Sequence, residues 1–219
     1  MQTPEAFVAE LERTNAASLA VLDATASQRP VSEWLDVPTL LKLALKNELE
    51  ATECAAAWLP VCPEVKVKLA LARQAGDEAK HYGLIARRLG ELGVDVAGYD
   101  PFVQGRSPLL VFLLSLETTV ERIAAGPFTR EALALVRNDA FSAFCRSKGD
   151  AVTAALYDDV IQPDERHHHE LGRGLLLELC TTEEAQATAR AVSAKVLAMA
   201  EEMAEIAALR LGLARLPGC

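Results

Sequence analysis

A chain of 219 residues, 51% of them hydrophobic, can bury a substantial core without a second domain. Its net charge of −9 argues against a protein built mainly to grip phosphate backbones, because such binding draws on clustered Lys and Arg. The five cysteines, Cys54, Cys62, Cys145, Cys180 and Cys219, are odd in number and form no C-x-x-C pair. They indicate neither a disulfide framework nor a four-cysteine iron centre, and they fit a reducing cytoplasm.

In chain order, Met1-Gln2-Thr3-Pro4-Glu5 lacks the basic start and apolar core of a signal peptide. A first helix is predicted over about Pro4 to Ala26, a second over Pro38 to Leu59 and a third over Glu64 to Leu92, with Pro60 and Pro63 between the last two. The stretch from Gly93 to Pro108 is rich in Gly, Pro and Asp and reads as a long crossover. A fourth helix is predicted over Leu109 to Ala125, stopping at Gly126-Pro127, and a further one over Thr129 to Ser147. After Lys148-Gly149-Asp150 another runs towards Cys180, and Glu183 to Leu213 forms the last, with an Ala-rich face that could make a dimer surface or pack on the bundle. Alternating β patterns with tight turns are absent, so the chain reads as all-α and as one domain over 1–219. The longest apolar run, Leu109 to Leu114, is far short of a membrane span, so the expectation is a soluble, cytoplasmic protein.

Two copies of one pattern, Asp77-Glu78-Ala79-Lys80-His81 and Asp164-Glu165-Arg166-His167-His168, each read D-E-x-x-H on a helix. A Glu and a His three residues apart lie about 60° apart around a helix, so both can face one metal ion. Val67, Leu71, Ile85 and Leu89 fall within roughly 20° of Glu78 on the helical wheel, and Ile161, Gly172 and Leu176 line up with Glu165. Both glutamates therefore sit in apolar seams with His81 and His168 on the flanks. His169 is also close to its seam, and His168 is preferred on the spacing it shares with the first copy. An uncompensated buried carboxylate costs several kcal/mol, and a dinuclear metal site compensates two of them.

Two more carboxylates complete such a site. Glu48 shares a stripe with Val37, Leu41, Ala55 and Leu59, whereas the stripes through Glu50 and Glu53 contain Lys46. On the fourth helix Glu117 shares a face with Leu110, Leu113 and Ala124, and Glu121, one turn on, is an additional or substitute ligand. Asp77 and Asp164 are expected behind the imidazoles, Asp77 on the His168 side and Asp164 on the His81 side, because a ligating His usually donates its other ring N–H to a carboxylate. Tyr82 and Tyr157 can lie near the site, but core packing is the preferred reading for each. Pro163 either kinks the helix just ahead of Glu165 or starts a new one.

These residues resemble the ferritin-like di-iron carboxylate superfamily, which includes rubrerythrins, bacterioferritins, the small subunit of ribonucleotide reductase and several oxygenases. The resemblance spans about Val37 to Cys180: Glu48-Leu49-Glu50-Ala51 is similar to the E-L-x-A of the first ligand helix, and the two D-E-x-x-H segments are similar to the second and fourth. Asp77 to Tyr82 and Leu116 to Arg122 look most like the tRNA-modifying hydroxylase branch. The two glutamates of the latter segment are one residue off that branch's spacing, and Thr129 to Ser147 reads as an insertion.

The resemblance implies a ferritin-like four-helix bundle with added N-terminal, inserted and C-terminal helices. It implies two iron ions, or manganese or a mixed pair, held by Glu48, Glu78, His81, Glu117, Glu165 and His168. The function it implies is an oxygenase or hydroxylase acting with O2 on a small or modified organic substrate, with electrons from an external reductase, since the chain has no G-x-G-x-x-G after a strand. The alternative is a ferroxidase or peroxide scavenger that needs no organic substrate. A purely helical interaction module leaves the two inward Glu-His pairs unexplained.

Overall fold

The computed structural model describes residues 1–27 and 35–210, and among them every regular element is helical. Helix α1 spans Pro4–Ser27, α2 Val37–Trp58 and α3 Val65–Glu91. Asp36 starts α2 by accepting a hydrogen bond from the Thr39 N–H at 2.9 Å, with a proline in the first turn where no donor is lost. At the end of α3 the chain turns at Gly93, φ 79°, and the Val94 N–H returns to the Leu89 carbonyl at 2.9 Å, a closure that favours glycine.

The structure departs from the predicted elements in the second half. Helix α4 covers only Pro108–Leu114 and belongs to the crossover. The chain then leaves the helix until Thr118, whose hydroxyl accepts from the Glu121 N–H while the Glu121 carboxylate accepts from the Thr118 N–H. That capping box starts α5, Thr119–Ile123, which continues without a break through a π segment, Ala124–Arg130, into α6, Glu131–Ser147. Gly126-Pro127 does not end this helix. The wide π turn moves aside the carbonyl that the Pro127 ring would strike in an α turn and absorbs its missing N–H. The residues read as an insertion are thus the body of a principal helix.

Helix α7, Ala151–Leu156, likewise passes through a second π segment, Tyr157–Ile161, into α8, Gln162–Leu179, with Pro163 in the first turn after the bulge. Helix α9 is described over Glu183–Arg210, and the remainder of the predicted last helix lies outside the described residues. No helix among the described residues is long and apolar enough to cross a membrane.

Two close approaches hold the first π segment. A Cβ on Gly126 would lie 2.6 Å from the Trp58 ring, and one on Gly172 would lie 2.6 Å from the Pro127 carbonyl carbon. The indole of α2 and the bare backbone of α8 therefore pack directly on it. Trp58 also donates its ring N–H to the Leu113 carbonyl at 3.2 Å, which ties α4 to α2.

The interior has two large apolar clusters with a polar layer between them. One contains Cys54, Trp58, Leu71, Phe128 and Leu176, and the other contains Leu41, Leu45, Ile85, Leu89, Phe141, Tyr157 and Ile161. Four helices cross from one cluster to the other. On each, the residues midway are acidic: Glu48 on α2, Glu78 on α3, Glu131 on α6 and Glu165 on α8.

Candidate metal centre

Glu48, Glu78, Glu131 and Glu165 are all buried, and His81 and His168 are within 1% of complete burial. Their ligand-type atoms form two groups, Glu48/Glu78/His81/Glu165 and Glu78/Glu131/Glu165/His168, with the atoms of each group within 4.8 Å of one another. Glu78 and Glu165 belong to both. His81 Nδ1 lies 3.5, 3.4 and 3.5 Å from oxygens of Glu48, Glu78 and Glu165, and His168 Nδ1 lies 3.5 and 3.8 Å from oxygens of Glu165 and Glu78.

The outward nitrogens fix the imidazoles. His81 Nε2 is 3.1 Å from Asp164 Oδ2, and His168 Nε2 is 3.2 Å from Asp77 Oδ2, each ring reaching the aspartate of the other helix. A carboxylate only accepts, so both Nε2 atoms carry a proton, and both Nδ1 atoms face inward, where they would offer a lone pair to a bound cation. Lys80 pairs with Asp164, and Arg73 Nε reaches Asp77 at 3.3 Å, so each aspartate is anchored at the surface.

The third-helix carboxylate is not one the sequence singled out. Glu117 is exposed in the turn before α5, and Glu121 is occupied by the capping box, so the structure brings neither to this cluster. Glu131 occupies that position, and its Oε1 accepts from Gln74 Nε2 at 2.6 Å. Gln74, buried one turn before Glu78, also comes within 3.4 Å of Glu78 Oε1. Among the residues weighed and set aside, Glu50 accepts from the Ser107 N–H at 2.7 Å and hydroxyl at 2.5 Å, Glu53 pairs with Arg106, and His169 stacks on Phe128.

A sequence signal for Glu131 existed. Glu48 precedes Glu78 by 30 residues and Glu131 precedes Glu165 by 34, whereas Glu117 precedes it by 48. Two helical hairpins of similar length, each ending in E-x-x-H, pick out Glu131. Gln74 had no comparable signal, since its role depends on the neighbouring helix.

Four carboxylates this close disturb one another's protonation. Burial pushes Glu48 up to about 8, with the Glu78 charge adding to it and His81 opposing. Burial also works on Glu78, but the His81 imidazole and the Arg130 charge outweigh it and bring Glu78 down to about 2. Burial and the neighbouring Glu165 charge raise Glu131 well above the usual carboxylate range; burial and the Glu78 charge raise Glu165. Burial disfavours a charged His81, yet the surrounding glutamates override it and raise it. Bare of cations, the cluster must hold protons to relieve its repulsion.

The donor set fits metal ions better than protons. His81 Nδ1, His168 Nδ1 and Glu165 Oε2 are buried without any hydrogen-bond partner. Three orphaned polar atoms converging among carboxylates are costly, and a bound cation would relieve them by taking a lone pair from each. Imidazole nitrogens with carboxylate oxygens suit iron, manganese or zinc.

Beside the cluster is a cavity of about 100 Å³. It is lined by the four cluster glutamates, Ala44 and Asn47 of α2, Arg130 of the first π segment, Leu133 and Arg137 of α6, and Ala200 and Met203 of α9. The free cysteines Cys54, Cys145 and Cys180 do not line this cavity, and burial raises their thiols to between about 11 and about 12.

No protein-family model matches this chain, and no curated protein or solved structure matches it at a significant level.

Proposed function

We propose that the chain is a ferritin-like dinuclear metal carboxylate protein that holds two iron ions, or manganese in their place, and uses them to hydroxylate a small organic substrate. The observation that carries this reading is the pair of Glu/His groups sharing Glu78 and Glu165, with a bare imidazole nitrogen in each. Glu48 and His81 would serve one ion, Glu131 and His168 the other, and Glu78 and Glu165 both. Glu48, Glu78, His81, Glu131, Glu165 and His168 would hold the pair, which would supply O2 activation for a hydroxylation in which one oxygen atom enters a C–H bond and the other leaves as water, with two electrons from an external reductase and two protons from solvent.

The chain's own residues prepare the site. Asp164 and Asp77 keep the Nε2 protons in place, so that both imidazoles offer Nδ1 inward. Gln74 holds Glu131 through Oε1 and leaves its second oxygen for an ion. The two apolar clusters on either side keep bulk water from the polar layer, which strengthens every charge interaction within it. The cavity beside the cluster would give a substrate access to the flank lined by α2, α6 and α9.

A ferroxidase or peroxide scavenger without organic substrate needs no more space than about 100 Å³ provides, so the two readings are separated by turnover. Metal content per chain is measured on the wild type and on Glu78→Ala, followed by oxygen uptake of the iron-loaded protein. Close to two ions in the wild type and far fewer in the variant are expected; equal content in both defeats the site. Slow uptake with excess ferrous ion alone supports the hydroxylase, whereas sustained turnover of ferrous ion or peroxide supports the alternative.

A further inference from the structure

The charges of the polar layer do not cancel once it is loaded, and the surplus bears on how the centre is tuned. This inference rests on the dinuclear reading. Glu48, Glu78, Glu131 and Glu165 bring four negative charges, which two divalent ions cancel. Around them, Asp164 pairs with Lys80 and Asp77 with Arg73, while Glu50 has both donors of Ser107 and Lys46 at 3.9 Å. An imidazole that gives its Nδ1 lone pair to a cation and keeps its Nε2 proton adds no charge of its own.

Arg130 stands against this balanced set. It closes the first π segment immediately before Glu131, and only 21% of its side chain is exposed. Its Nη1 lies 3.7 Å from Glu131 Oε1, and its Nη2 donates to the Asn47 carbonyl at 3.1 Å. In the metal-free chain it offsets glutamate charge: against the effect of burial, it joins His81 in holding Glu78 low. In the loaded chain the ions take up that glutamate charge, whereas the guanidinium keeps its own at any relevant pH. Arg137 comes six residues after Glu131, about 9 Å further along α6, and donates to the Ala200 carbonyl at 2.9 Å, which ties it to α9.

We propose that Arg130 sets the reduction potential of the centre: its charge leaves the loaded layer positive and so holds both ions in the reduced, divalent state. Oxidation to the trivalent state adds positive charge beside the guanidinium. The apolar clusters on either side of the layer keep that repulsion from being screened as it would be at the surface. The Asn47 carbonyl keeps the guanidinium in place but brings no negative charge to cancel it. Arg130 is therefore a positioning residue for electrons, and it holds the centre in the form that reacts with O2.

The test is a potentiometric titration of the protein loaded anaerobically with ferrous ion, with iron content measured on the same samples. Arg130→Gln is expected to raise the oxidised-to-reduced ratio at a fixed potential at least ten-fold, a fall of about 59 mV for a one-electron step. Arg130→Lys keeps the charge and is expected to stay within about three-fold of the wild type. Both variants should hold as much iron as the wild type, since removing a cation does not weaken the binding of cations. An unchanged or higher potential in Arg130→Gln overturns the proposal. An equal shift in both variants also overturns it, because the hydrogen-bond geometry and not the charge would then be at work. Loss of iron from either variant does the same, since Arg130 would then assemble the layer instead of tuning it. If the wild type itself takes up no iron, the dinuclear reading has failed first, and that result is in hand before any potential is measured.

Discussion

The two helical hairpins that build the cluster reach the same end by different backbones. Helices α2 and α3 are regular α-helix throughout, and they present Glu48, Glu78 and His81 on the apolar stripes that 100° per residue predicts. The two helices of the second hairpin each run through a π segment, one ending just before Glu131 and the other four residues before Glu165. A π turn adds a residue and rotates everything beyond it, so an angular count across it points the wrong way. A wheel is reliable within an unbroken helix and loses its phase at a bulge.

The sharpest way to break this comparison is to remove carboxylates from the second hairpin. Glu131→Ala is expected to lower the bound metal from two ions to about one, as read by elemental analysis, and Glu117→Ala to leave it unchanged. The reverse result would falsify the assignment of Glu131 and restore the capping-box region as the third ligand segment.

Next in size are the aspartates that pair across the hairpins. Asp164→Asn and Asp77→Asn are each expected to weaken metal affinity by about 10- to 100-fold in a competition titration, with helicity retained. If the first hairpin alone governed the site, only Asp164→Asn would act, since Asp164 on α8 holds the His81 imidazole of α3 while Asp77 holds His168.

The close contact that supports the first π segment is tested by Gly172→Ala. The added Cβ meets the Pro127–Phe128 backbone rather than a side chain that can swing away. A loss of about 1–3 kcal/mol in chemical denaturation is expected. Gly83→Ala on regular α3, where a Cβ meets nothing within 4 Å, is expected to cost nothing and to gain helix propensity.

The smallest effect per unit is the pH dependence of the metal-free protein. Glu48, lifted by burial from an ordinary 4.5 to about 8, stays protonated in the folded chain when the unfolded chain has already ionised. Its contribution to stability is complete below 4.5 and is lost as pH rises through about 8. Glu131 and Glu165, both raised, act in the same direction, as does His81 above its ordinary 6.5. Glu78, lowered to about 2, acts oppositely, but only below 4.5. Metal-free stability should therefore fall between pH 5 and 8, by roughly 1.4 kcal/mol per pH unit for each extra proton held. The metal-loaded protein should show the opposite slope, because the ions compete with those protons.

Much of this molecule was readable from sequence wherever local physics decides. Periodicity placed α1, α2 and α3 to within a few residues, and the repeated D-E-x-x-H together with apolar seams singled out residues that the fold buries together. What escaped depended on tertiary contact. Gly126-Pro127 reads as a stop on any local rule, and it is carried inside a helix because Trp58 and Gly172 pack on the wide turn there. Losing that continuity turned Thr129 to Ser147 into an insertion and hid Glu131. Gln74 and Arg130 gain their roles only once α3 and α6 meet around Glu131.

The polar layer is approached differently from its two flanks. Towards α2, α6 and α9 it borders a cavity; towards α3 and α8 it is closed by two fully buried imidazoles, each leading through an aspartate to a surface cation. On the proposed reading, molecules and charge would use separate doors. A substrate lodged in the cavity leaves the imidazole–aspartate side unobstructed, and a partner resting against Lys80 and Arg73 need not wait for that substrate to leave.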